Sequence, residues 1–150
     1  YEDLTNLFRK KLGLQKKETE DLKLVEDLLS WMKDNSKDYT NTFRALNEET
    51  SSIFEDAKGK SWNEKYRQRL TKEDTSKKEQ KKLMDASNPK FILRNYLAQK
   101  AIEEAEKGNY SDLEILLEVL KKPFEENKTY EDYAKEPPDW GKKLEISCSS

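Results

Sequence analysis

Apolar residues recur at helical spacing along almost the whole chain. Leu4, Leu7, Phe8 and Leu12 fall three and four residues apart, and Gly13 follows where a left-handed helix stop belongs. A second amphipathic helix is predicted from about Glu20 to Lys33, with Leu22, Val25, Leu28, Leu29 and Met32 as its buried stripe. Asp38 is placed to accept amide hydrogens at the start of a short helix carrying Tyr39, Phe43 and Leu46. Ser61 and Glu64 have capping-box spacing ahead of Trp62, Tyr66 and Leu70, which share one face. Residues 71–82 fit either an exposed helix or a loop. Asn88-Pro89 reads as a cap followed by proline at the first helical position, predicting a helix to about Glu106 that ends at Gly108. Its expected buried stripe holds Ile92, Tyr96, Ala101, Ile102 and Ala105. Ser111 and Glu114 form a further box before Leu113, Leu116, Leu117 and Leu120, and Pro123 stops that helix.

After Pro123 one short helix is expected, then irregular chain through Pro137-Pro138. In residues 142–150 Leu144, Ile146 and Cys148 alternate with polar neighbours, so an extended tail would turn the three to one side. The expected fold is all-α: an irregular bundle of six to seven helices over residues 1–141, with an extended C-terminal tail.

Composition narrows the function. Of 150 residues, 33% are hydrophobic and 40% charged, which leaves a thin core; a net charge of −2 removes the self-repulsion typical of disordered chains. The balance of charge argues against general nucleic-acid or anionic-membrane binding, and no apolar run is long enough to span a bilayer. One cysteine and no histidine exclude an internal disulfide, a Cys/His zinc site and any triad that needs histidine; a reducing, cytoplasmic setting is the default. The four glycines, at 13, 59, 108 and 141, are too scattered for a phosphate-cradling loop. The acids at 103, 104, 106, 125 and 126 read as solvated surface. Arg94 and Asn95 interrupt an apolar stretch, with a structural role favoured over ligand contact. For Cys148, taken on its residues alone, a packing role or an inconsequential exposed thiol is the simpler reading.

The run from Asn88 to Phe124, NPKFILRNYLAQKAIEEAEKGNYSDLEILLEVLKKPF, and the ending PPDWGKKLEISCSS resemble the C-terminal end of the selenoprotein O family and its bacterial cysteine-containing members. KDYTNTFRAL and WNEKYRQRL are similar to the same region, while residues 71–86 and the first 20 match less distinctively. The resemblance implies a kinase-like domain upstream of this segment; the chain starts at Tyr1 rather than Met. In the family that domain binds ATP and a divalent metal, Mg, and transfers AMP to hydroxyl-bearing side chains of protein substrates. By the same resemblance Cys148 stands where the family has selenocysteine, a position regarded as a redox switch able to bond a cysteine of the catalytic part. The segment itself is then expected to be non-catalytic, with no cofactor of its own. Trp62, Tyr66, Arg94, Asn95 and Trp140 are the candidates for contact with the upstream domain. A different reading makes it a helical protein-interaction module, using Trp62, Tyr66, Tyr133 and Trp140; a third makes it a purely structural lid.

Overall fold

The computed structural model describes residues 2–47 and 53–142. Among these residues the chain is all-α, with seven α-helices, one 3-10 helix and no strand. It divides into two compact units, residues 1–88 and 89–150.

The first unit contains α1 (Glu2–Lys11), α2 (Asp21–Asp34), α3 (Tyr39–Ala45), α4 (Ala57–Leu70) and α5 (Lys77–Ser87). Helix α2 packs on α4, and α1 packs on both α2 and α5. As the sequence predicts, Gly13 ends α1 at φ +71°, and the Leu14 amide reaches back to the Arg9 carbonyl at 2.8 Å. Leu12 and Leu14, either side of that stop, are both buried. Ser36 does the same after α2 at φ 50°, a conformation that is costly for a residue with a Cβ. Asp38 caps α3 as expected, accepting from the Asn41 amide at 2.9 Å.

The stripe of α2 is one step round from the predicted one. Leu24, Val25, Leu28, Trp31 and Met32 are buried, whereas Leu22 is exposed. Two aromatic partners, Phe54 and Trp62, lie against the Trp31 side and draw that face inward. Leu4 and Leu7 are exposed, so α1 contributes mainly Phe8 and Leu12.

Two predicted helix starts are corrected here, and the open reading of the Lys-rich stretch is resolved. Helix α4 begins at Ala57, capped by Asp56, whose carboxylate accepts from the Gly59 amide at 2.7 Å and from Trp31 Nε1 at 2.7 Å; Ser61 is inside the helix. Gly59 looks like a breaker in the sequence, but it is the residue that lets α4 approach the Trp31 ring. The capping box lies instead at Ser76 and Glu79, and it makes the Lys-rich stretch a helix, α5. Asn88 closes α5 rather than opening a helix. Its amide bonds Met84, its Nδ2 donates to the Lys11 carbonyl at 2.8 Å, and its backbone is extended, as residues before proline favour.

The second unit begins with extended chain in which the Lys90 and Phe91 amides both donate to the Pro123 carbonyl, at 2.7 and 3.0 Å. Helices α6 (Asn95–Glu106) and α7 (Ser111–Lys121) then form an antiparallel hairpin through Gly108 (φ +83°), and a 3-10 helix (Lys128–Ala134) packs on α7. Ser111 is the first residue of α7 and Tyr110 precedes it without a side-chain cap, so no Ser111–Glu114 box forms. In α6, Tyr96, Leu97 and Ala101 are buried; Ile102, expected inside, is exposed. Two apolar clusters hold this unit, one around Tyr96, Leu97, Ala101 and Leu116, the other around Phe91, Val119 and Ala134.

Candidate functional site

The densest collection of ionisable groups lies inside the first unit. Arg69, on α4, points its guanidinium at the start of α2: Nε donates to Asp21 Oδ1 at 2.7 Å, Nη1 to Glu73 Oε1 at 2.7 Å, and Nη2 to the Lys16 carbonyl at 2.8 Å. Arg9 Nε reaches the other Asp21 oxygen at 2.6 Å, and the Glu18 amide adds 3.0 Å. Glu73 Oε2 accepts from the Gln15 and Lys16 amides at 2.9 and 3.1 Å. The Asp21 and Glu73 side chains have no solvent exposure, and that of Arg69 only 6%. Burial works against the Asp21 charge, but the hydrogen bonds from Arg69, the Glu18 amide and Arg9 outweigh it and hold the carboxyl below its usual range. Each buried charge is thus matched, and the cluster fastens the 14–20 connection to α4. A catalytic acid or base needs an unmatched group beside a substrate-sized space. This cluster has the character of a structural clasp.

An open cavity of about 690 Å³ lies in the same unit. Leu46, Tyr66, Leu70 and Met84 supply its apolar lining, and Lys77, Lys78 and Lys81 of α5 its charge. The Tyr66 hydroxyl donates to the Leu12 carbonyl at 2.9 Å, and burial pushes the phenol pKa far upward, so it is held neutral as a packing group.

The expected contact residues separate sharply. Trp62 and Tyr66, at 3% and 1% exposure, are stacked with ring centroids 5.2 Å apart inside the first unit, and Trp62 Nε1 donates to the Leu24 carbonyl at 2.8 Å. They are core residues, because their four-residue spacing faces α2. Trp140 is 62% exposed and meets the Tyr96 ring edge-on, at 6.1 Å. Beside it Gly141 is seated so closely that a Cβ there would stand 2.8 Å from Tyr96 Cβ. Arg94 and Asn95 do not interrupt a helix; they begin one. The Arg94 carbonyl accepts from the Leu97 and Ala98 amides, with Arg94 buried and Asn95 exposed. Tyr133 is half-buried and donates to Asp112 at 2.6 Å; burial and that carboxylate push its phenol upward. Cys148, with Leu144 and Ile146, lies outside the described residues.

The clasp was missed in the sequence because its members are scattered at 9, 21, 69 and 73; only the i,i+4 spacing of Arg69 and Glu73 hinted at a pair. The glycines serve separate local turns and close approaches. Gly13 and Gly108 take left-handed turns, and Gly59 and Gly141 allow close ring contacts. Among the described residues, no three His, Cys, Asp or Glu side chains converge as a possible metal-ion set. Nor is any described helix long and apolar enough to cross a membrane.

Comparison with known proteins gives a consistent family. The profile described as Protein adenylyltransferase SelO matches residues 1–121. The Protein nucleotidyltransferase YdiU of Pseudomonas fluorescens (strain SBW25) is 48% identical over 155 residues, covering 97% of this chain and 32% of its own length. Similar proteins of the same description occur in Pseudomonas aeruginosa (strain LESB58), at 42% identity with 97% and 32% covered, and in Pectobacterium atrosepticum, at 46% with 96% and 32% covered. The chain spans about a third of the length of these curated relatives.

Proposed function

Because the chain belongs to the SelO family of protein adenylyltransferases, we propose that it is the non-catalytic C-terminal helical part of a longer enzyme that moves AMP from ATP to Ser, Thr or Tyr of target proteins. In that transfer the acceptor hydroxyl oxygen bonds the α-phosphorus and pyrophosphate leaves. Two features support placing ATP and Mg outside these helices: the four glycines are scattered along the chain, and the acids of the clasp are matched by arginines and amides. Nucleotide and metal are therefore assigned to an upstream kinase-like domain, which these helices brace. By family resemblance, Cys148 is the redox-active end of the tail.

The observation that carries this reading is the clasp at Asp21, Arg69 and Glu73. The ionisable groups most removed from water hold helices together and leave no reactive group over. Comparing the full-length protein with one lacking these 150 residues tests it. Bracing predicts that truncation lowers both the thermal midpoint and AMP transfer; a truncated enzyme with unchanged midpoint and transfer refutes bracing. Peptide mapping under non-reducing conditions tests the tail. A Cys148 that remains a free thiol in the oxidised full-length protein removes the switch. Exposed Trp140 favours a second reading, a surface that recruits target proteins. It predicts that Trp140→Ala raises KM for protein targets while leaving the midpoint unchanged.

A further inference from the structure

The α6–α7 hairpin has an apolar face that no described residue of its own unit covers. On α7, Ile115 and Val119 pack toward the 3-10 helix, as does Asp112 through Tyr133, and Leu116 packs toward α6. Continuing round the helix come Leu113 and Leu117, which are 41% and 53% exposed. Helix α6 repeats the order. Tyr96 and Lys100 lie on the 3-10 side, Leu97 and Ala101 meet α7, and Ile102 follows at 47% exposure. In an antiparallel pair, stepping round both helices in this sense leads to the same side. Ile102, Leu113 and Leu117 therefore emerge together on the face opposite the 3-10 helix, continuous with the core through Ala101 and Leu116. Further round stand Glu106 on α6 and Lys121, Glu114 and Glu118 on α7, all exposed, a rim of three acids and one lysine.

We propose that this face is the seat for an element of the upstream part of the same polypeptide, one that presents an apolar ridge flanked by Lys or Arg. The inference rests on the reading of the chain as part of a longer enzyme. Two observations select this occupant. The curated relatives carry about two thirds of their length outside the matched region, since the chain covers 32% of them, so an apolar surface on these helices has a large body of chain available to meet. The rim carries a net negative charge, which calls for a basic complement and disfavours a second copy bearing the same rim.

Hydroxyl-radical footprinting of the full-length protein provides the test. The expected result is that oxidation of Leu113, Leu117 and Ile102 falls to the level of buried Leu116. In a Glu114→Lys/Glu118→Lys variant, whose altered side chains lie on the surface, oxidation at Leu113 and Leu117 should rise toward that of the urea-unfolded chain. Full oxidation of Leu113 and Leu117 in the folded wild-type monomer overturns the proposal. So does protection that appears only at concentrations where sedimentation shows dimers, or protection lost on deleting residues 143–150, which would make the tail the occupant. AMP transfer is scored on the same samples. An active enzyme with an exposed face sinks this inference alone, whereas a protected face in a protein without transfer sinks the catalytic reading alone.

Discussion

Arg69→Met is the sharpest perturbation of the first unit, because it removes one cation from between two carboxylates that have no solvent exposure. Breaking a buried ion pair by deleting one partner costs about 3–5 kcal/mol, since the other charge is left without compensation. The lower end applies. Arg9 still reaches Asp21 at 2.6 Å, and Glu73 keeps the Gln15 and Lys16 amides. A loss of about 3 kcal/mol is a large part of the roughly 4–13 kcal/mol expected for a unit of 88 residues. Urea unfolding followed by tryptophan fluorescence reads it, because Trp31 and Trp62 are buried in this unit while Trp140 is exposed. The midpoint should fall by roughly 1–3 M. The pH dependence follows from the sign of the shift. In the wild type the Asp21 pKa is lowered on folding, so its contribution is complete above the ordinary value of about 3.9 and is lost as pH falls through the folded value. In the variant, burial acts with less opposition and raises that pKa, so acid relieves the buried charge. The gap between wild type and variant must then narrow as pH falls through the variant's Asp21 value. A cost below about 1 kcal/mol, the level of a surface pair, or a gap that does not change with pH, refutes the account of the clasp.

Gly59→Ala should destabilise by about 1–3 kcal/mol despite the better helix propensity of alanine, because the new Cβ would lie 2.8 Å from Trp31 Nε1 and 3.1 Å from Phe54 Cδ1; calorimetry of the two proteins checks it. Gly108→Ala, with open space around it but φ +83°, should lose only about 1–2 kcal/mol by the same measurement. Asp56→Ala removes the cap of α4 and the partner of Trp31 Nε1, and should cost about 1–2 kcal/mol in urea unfolding. Ser36→Gly should raise stability by about 0.5–1 kcal/mol, since the left-handed turn at φ 50° then carries no Cβ; an unchanged or lower midpoint contradicts that reading.

The all-α class, the stop at Gly13, the cap at Asp38 and the α6–α7 hairpin were legible because each depends on neighbours within a few residues. What escaped depends on distant ones. Asn88-Pro89 has the local signature of a helix start, but Asn88 is claimed by Lys11, 77 residues away. Trp62 and Tyr66 share a face as predicted, and only α2 decides that the face points inward. Leu22 and Leu24 are equivalent to a periodicity argument until Trp31 meets Phe54. The clasp joins four positions across 64 residues of chain, from Arg9 to Glu73, beyond any local pattern.

The most direct test of the non-catalytic assignment is incubation of the purified 150-residue chain, alongside the full-length protein, with labelled ATP, Mg and acceptor proteins. The account predicts labelled acceptors with the full-length protein and none with the 150-residue chain alone. Reproducible, metal-dependent AMP transfer by that chain would place an active site among these helices and contradict it.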